Sequence, residues 1–146
     1  MTVVLHILDE SCNEDQFHAL HALIHRDAGR IVHHVCCVDA GILEAAQRRI
    51  ATPLLRADRR LPRVMNFAPR LPAIRRETGA EILHAWGIGA AAICAARAAD
   101  APMVLSLIDP QSTDQSARYL RVLPSAAAVA VGSQIMRRRL ITAGVS

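Results

Sequence analysis

The segments VVLHIL at Val3–Leu8 and PMVLSL at Pro102–Leu107 are apolar at almost every position and do not alternate. A strand with one wet face alternates apolar with polar residues. One that is apolar on both faces belongs to a parallel sheet covered by helices. Further strands read at Ile31–Val38, Glu81–Trp86 and Ala126–Val131, with a short one at Leu54 and Leu55. Segments of helical period separate them. The first is Asp15–Arg26, with Phe17, Leu20, Leu23 and Ile24 on one side. The others are Ile42–Ile50, a proline-interrupted stretch over Phe67–Thr78, Gly89–Ala99, Gln115–Leu120 and Ser133–Ala143. This alternation predicts the α/β class: a Rossmann-like three-layer sandwich with a mostly parallel sheet and helices on both faces. Between Thr52 and Arg70, prolines and arginines break both periods, so a short strand followed by a surface loop is expected there.

A chain of 146 residues has the length of one domain, and 52% apolar against 21% charged residues argues against disorder. No apolar run approaches the ~20 residues of a membrane-spanning helix, and the N-terminus lacks the charged start and cleavage site of a signal peptide. A cytoplasmic location is therefore expected. Cys12, Cys36, Cys37 and Cys94 form no CxxC and are expected to behave as small buried hydrophobes.

All 17 basic residues are arginines, giving a net charge of +4. One Trp, one Tyr and two Phe are too few for the stacking platforms of single-stranded nucleic-acid binders, so nucleic acid is not an expected partner. Phosphate-bearing small molecules or anionic lipid headgroups suit the charge better. Two arginine clusters, Arg48 to Arg63 and Arg137 to Arg139, read either as solvated faces or as a peripheral membrane contact. Ser133 is a good N-cap for the last helix, and Gly144 stands just beyond it. A chain stopping there is expected to be the first domain of something longer.

Gly87, Gly89 and Ala92 spell G-x-G-x-x-A between a strand and a helix, with Asp109 twenty residues after Gly89. That spacing allows an NAD(P)-binding oxidoreductase domain, with Asp109 on the ribose. A tight corner that needs small residues for packing reads equally from the same glycines, and the fingerprint ordinarily follows the first strand of its domain. His18, His21 and His25 share one face of the first helix, but that face borders the apolar stripe, and His33 and His34 alternate across a strand. No metal site is expected. Asp9 and Glu10 follow the first strand and Asp109 a later one. With His84, these acids are expected to converge where open α/β sheets bind ligands.

Three stretches carry a resemblance to a known family. EILHAWGIGAAAICAARAADAPMVLSLIDP is similar to a strand ending in His-x-His, a small-residue helix and a second strand ending in Thr-x-His-Asp. AVAVGSQIMRRRLITAGVS is similar to a closing strand with its Ser-capped helix, and VVLHILDE to a first strand. Together they resemble the N-terminal domain of the group 1 (family 4, retaining) glycosyltransferases of the GT-B fold. The resemblance implies that residues 1–146 are a single acceptor-side domain whose nucleotide-sugar partner domain is absent from this chain. Activity would be sugar transfer from a nucleotide-sugar donor to an acceptor hydroxyl, the isolated chain being inactive. No cofactor is implied in this domain. Partners would be a sugar or lipid-linked acceptor. By position, Asp109 carries over as catalytic, and Glu10, Ser11, His84, Trp86, Gly87 and Ile108 as acceptor-binding. Ile108 replaces the family's His before the Asp, and Asp9-Glu10-Ser11-Cys12-Asn13 replaces its glycine-rich loop. Those departures leave open a changed acceptor, an altered mechanism or a non-catalytic binding module, the last of which gains from Ile108.

Overall fold

In a computed structural model, residues 1–26, 29–38, 54–55, 63–107 and 120–142 are described. Six parallel strands form one sheet in the order β3-β2-β1-β4-β5-β6. They are β1 (Thr2–Leu8), β2 (Ile31–Cys37), β3 (Leu54–Leu55), β4 (Ile82–Trp86), β5 (Met103–Leu107) and β6 (Ala128–Val131). The helices are α1 (Glu14–Arg26), α2 (Arg63–Thr78), α3 (Ile88–Arg97) and α4 (Gln134–Thr142), with a 3-10 turn at Leu123–Ser125. The fold is Rossmann-like. Its strand order reverses between β1 and β4, and in open α/β sheets the carboxyl ends of the strands at such a switch point are where ligands bind.

The two faces of the sheet make two cores. On one side Leu5, Ile7, Cys36, Leu83, Ala85, Met103 and Leu105 pack against Phe67 and Leu71 of α2 and Ala90, Ala91 and Cys94 of α3. On the other, Leu8, Val35, Cys37 and Trp86 meet Cys12 and Phe17 and Leu20 of α1. This split explains why β1 is apolar at every position but Thr2 and His6: each alternate set has its own helix layer. The four cysteines are free and buried, as their scattered spacing predicts.

Helix α2 departs from expectation. It starts at Arg63, inside the stretch read as loop, and runs through both Pro69 and Pro72. Each proline forfeits an intrahelical N–H donor, but both lie on the exposed side of the helix, where water can satisfy the freed carbonyls. Leu71 and Phe67, fully and nearly fully buried, hold the inner side in place. The expected helix at Ile42–Ile50 lies outside the described residues, as does Gln115–Leu120 apart from Leu120. Ser133 caps α4 through its Oγ, which accepts the Met136 N–H at 3.1 Å. Among the described residues no helix is long and apolar enough to cross a membrane.

Candidate functional site

Leu8 and Trp86 are register partners in the β1–β4 pair, so the next residues, Asp9 and Gly87, leave the sheet side by side. Asp9 is 4% exposed. Its Oδ1 accepts the Ser11 N–H at 2.8 Å and the Ser11 hydroxyl, and its Oδ2 accepts the Ala90 N–H at 2.8 Å. The carboxylate thus serves the orphan amides at the start of α3, where the helix dipole favours negative charge. Gly87 has φ of 115°, in the range that L side chains avoid. A Cβ there would run into the Asp9 carboxylate, and one on Gly89 would stand 3.0 Å from Oδ2. The two glycines are what let the acid approach the helix end.

This arrangement gives the G-x-G-x-x-A corner a task other than cradling a dinucleotide. The N-terminus of α3, where a pyrophosphate would bind in a dinucleotide fold, holds the chain's own carboxylate. Sequence reasoning had Asp9 near the crevice but did not see its partner. The signal was available in the parallel pairing, which sets the residue after β1 beside the residue after β4.

The loop after Asp9 is fixed from both ends. The Cys12 N–H donates to the Asp9 carbonyl at 3.1 Å, and the Cys12 thiol donates to the Trp86 carbonyl. Asn13 and Gln16 then form a reciprocal cap on α1: the Gln16 N–H reaches Asn13 Oδ1 at 3.1 Å, and the Asn13 N–H reaches Gln16 Oε1 at 2.9 Å. Glu10 is exposed at the turn and Ser11 is half-buried beside it. The structure therefore brings Glu10, Ser11 and Gly87 to one rim. Ile108 and Asp109 lie outside the described residues.

His84 and Trp86 are placed differently. Both point from β4 into the layer beneath α1, and Trp86 is 3% exposed. Trp86 Nε1–H donates to His6 Nδ1 at 3.1 Å. Indole can only donate, so neutral His6 carries its proton on Nε2, and Nε2–H donates to His33 Nδ1 at 2.9 Å. His84 Nε2 pairs with Ser106 Oγ at 2.7 Å, and the His84 ring stacks on Trp86 with centroids 4.6 Å apart. A polar row, His33, His6, His84 and Ser106, thus crosses β2, β1, β4 and β5 within an apolar layer. Burial above all, with the charges His84 and His33 would carry, holds the His6 pKa well below the usual histidine value. Burial, then His33, lowers that of His84 to about 4. His6 and His84 are therefore neutral at neutral pH and serve as structural pairs. His6 and Ser106 were missed, and His33 was read without its partner, because a lone polar residue in an apolar strand gives no hint of its cross-strand partner.

A groove of about 420 Å³ opens at the opposite, amino-terminal end of the strands, lined in part by Arg75, Arg76, Arg97 and Asp100. Arg75 is committed there, donating to the Ala80 carbonyl at 3.2 Å and to Asp100 at 2.6 Å. All three arginines stand in the last turns of α2 and α3, where basic residues complement the helix dipoles.

No protein-family model matches the chain, and no curated protein matches it in sequence. Among solved structures the fold is similar to a glycosyltransferase from Rickettsia africae ESF-5, with a TM-score of 0.64 at 9% identity. The likeness covers 96% of this chain and 39% of that one. The chain therefore has a glycosyltransferase-like fold and spans well under half the length of that neighbour.

Proposed function

We propose that residues 1–146 form the acceptor-side domain of a retaining GT-B glycosyltransferase of family 4, which moves a sugar from a nucleotide-sugar donor to an acceptor hydroxyl. The observation that carries this reading is the likeness over 96% of the chain to a glycosyltransferase. The strand-order switch point between β1 and β4, the usual ligand position in open α/β sheets, supports it. Glu10, Ser11 and the Gly87 backbone form the rim that meets the acceptor. By the resemblance, Asp109 serves the chemistry and Ile108 is among the acceptor-binding residues. His84 and Trp86 act from below by fixing the end of β4. The donor's phosphates are held elsewhere, because Asp9 already occupies the helix N-terminus on this side. Exposed Arg137, Arg138 and Arg139 on α4 offer a peripheral contact for a lipid-linked acceptor.

The test is an NMR titration of the chain with a panel of oligosaccharides and, separately, with NAD, NADP and nucleotide sugars. Acceptor binding is expected to shift the amides of Glu10, Ser11 and Gly87, with no turnover of any nucleotide sugar. Saturable NAD(P) binding that shifts Gly89 and Ala90 would replace this reading with the oxidoreductase one. Sugar transfer by the chain alone would show that it is not half of a site.

A further inference from the structure

Helix α1 carries Glu14, His18, His21 and His25 along one side. The structure divides them into two pairs. His18 Nε2 lies 3.7 Å from Glu14 Oε1, so His18 leans toward the start of the helix. His21 and His25, one turn apart, bring their ring centroids to 4.2 Å with 54° between the planes. His25 is exposed and His21 half-buried, beside the buried stripe of Phe17 and Leu20.

We infer that His21 and His25 form a two-point chelate for a divalent transition-metal ion of the imidazole-preferring set, Cu²⁺, Ni²⁺ or Zn²⁺. Metal–nitrogen bonds of ~2.0–2.1 Å require two adjacent ligand nitrogens about 3 Å apart. Rings with centres 4.2 Å apart and inclined, not stacked flat, reach that bite by side-chain rotation alone. The helix backbone fixes the two ligands at i and i+4, so little ordering entropy is spent on binding, the same geometric basis as two-histidine helical zinc motifs. The intervening residues are Ala22, Leu23 and Ile24, which supply no carboxylate to act as a base, so the site binds without a hydrolytic function. Hard ions such as Mg²⁺ and Ca²⁺ are not candidates, because they take oxygen ligands. Among the described residues no group of three or more His, Cys, Asp or Glu is placed to hold a metal. This inference stands apart from the glycosyltransferase reading.

The experiment is a titration of the tag-free chain with ZnCl₂ and with CuCl₂ at about pH 7.5, where ordinary imidazoles are neutral. It is read by calorimetry, thermal midpoint and the histidine ring resonances in Zn²⁺. One ion per chain is expected, with His21 and His25 shifting together while buried His6 and His84 stay still. His21→Gln and His25→Gln are each expected to weaken binding about tenfold or more, and His18→Gln to change it by less than about twofold. Circular dichroism checks that these helix-surface variants stay folded. Absence of saturable binding below about 1 mM overturns the inference. So does binding that survives in the His21→Gln/His25→Gln double variant, or binding that His18→Gln abolishes.

Discussion

The Asp9 carboxylate accepts the backbone N–H of Ala90 at 2.8 Å, joining the end of the first strand to the first turn of α3 across 81 positions of chain. One buried acid thus holds the two sides of the switch point together, and the glycines around it are there to admit it. Gly87→Ala puts a methyl group into the carboxylate at a φ of 115°. The strained backbone and the displaced cap together are expected to cost about 2–4 kcal/mol. Gly89→Ala lies in ordinary helical backbone with its methyl 3.0 Å from Oδ2. It is expected to cost less, about 1 kcal/mol, since the carboxylate need shift only slightly. Urea denaturation of the two variants checks the order, and an equal effect would show that Asp9 does not set it.

Removing the acid tests the same contact from its other end. Asp9→Ala leaves the buried Ala90 N–H without its acceptor and strips Ser11 of both its contacts to the carboxylate. A loss of about 2 kcal/mol is expected. Asp9→Asn keeps one acceptor oxygen and gives up the charge that the helix dipole favours, so about half that loss is expected. In the Asp9→Ala background, Gly89→Ala is expected to become nearly neutral, a coupling that a double-mutant cycle measures directly.

The class of fold and most of its elements were legible from the sequence because unbroken apolar strands admit few architectures. VVLHIL and PMVLSL needed two covers, and α1 on one side with α2 and α3 on the other provide them. Helix α2 was expected with its prolines inside it from Phe67 on, but its first turn, from Arg63, was read as loop because the prolines and arginines there break the apolar period. The candidate site was legible in its location and less so in its assignments. Glycine spacing marks a place where something comes close to the backbone but does not say what. Here it is a side chain from 81 residues away. Trp86, which the resemblance implies among the acceptor-binding residues, has its ring turned inward under α1 by strand alternation.

Trp86 also sets the protonation pattern of the buried row. Its indole N–H occupies His6 Nδ1, which places the His6 proton on Nε2 facing His33. Trp86→Phe keeps most of the apolar volume and removes only that donor. The expected result is a loss of about 1–3 kcal/mol, from the unpaired nitrogen and the smaller ring. The His6 ring should also cease to hold one tautomer. Nitrogen chemical shifts of the imidazole, read in both variants at neutral pH, distinguish this from simple loss of packing, which would leave the Nε2–H form in place.

The histidine row makes the fold sensitive to mild acid, with a definite sign. Above about pH 6.5, His6 and His84 are neutral in both the folded and unfolded chain and their titration contributes no pH dependence. Below that, the unfolded chain takes up protons that the folded chain refuses, because burial holds the His6 pKa well below the ordinary value and that of His84 down to about 4. Stability should therefore fall as pH drops from about 6.5 towards 4, by at most about 1.4 kcal/mol per pH unit for each histidine. His84→Gln retains a polar group facing Ser106 but cannot titrate. It is expected to be about 1 kcal/mol less stable at neutral pH, yet to lose up to about 2 kcal/mol less than the parent chain between pH 6.5 and 4.5. Urea midpoints across that range, followed by circular dichroism, read both effects. A variant whose stability falls as steeply as the parent's would mean that His84 accepts its proton within the fold, and that the row opens to water before the chain unfolds.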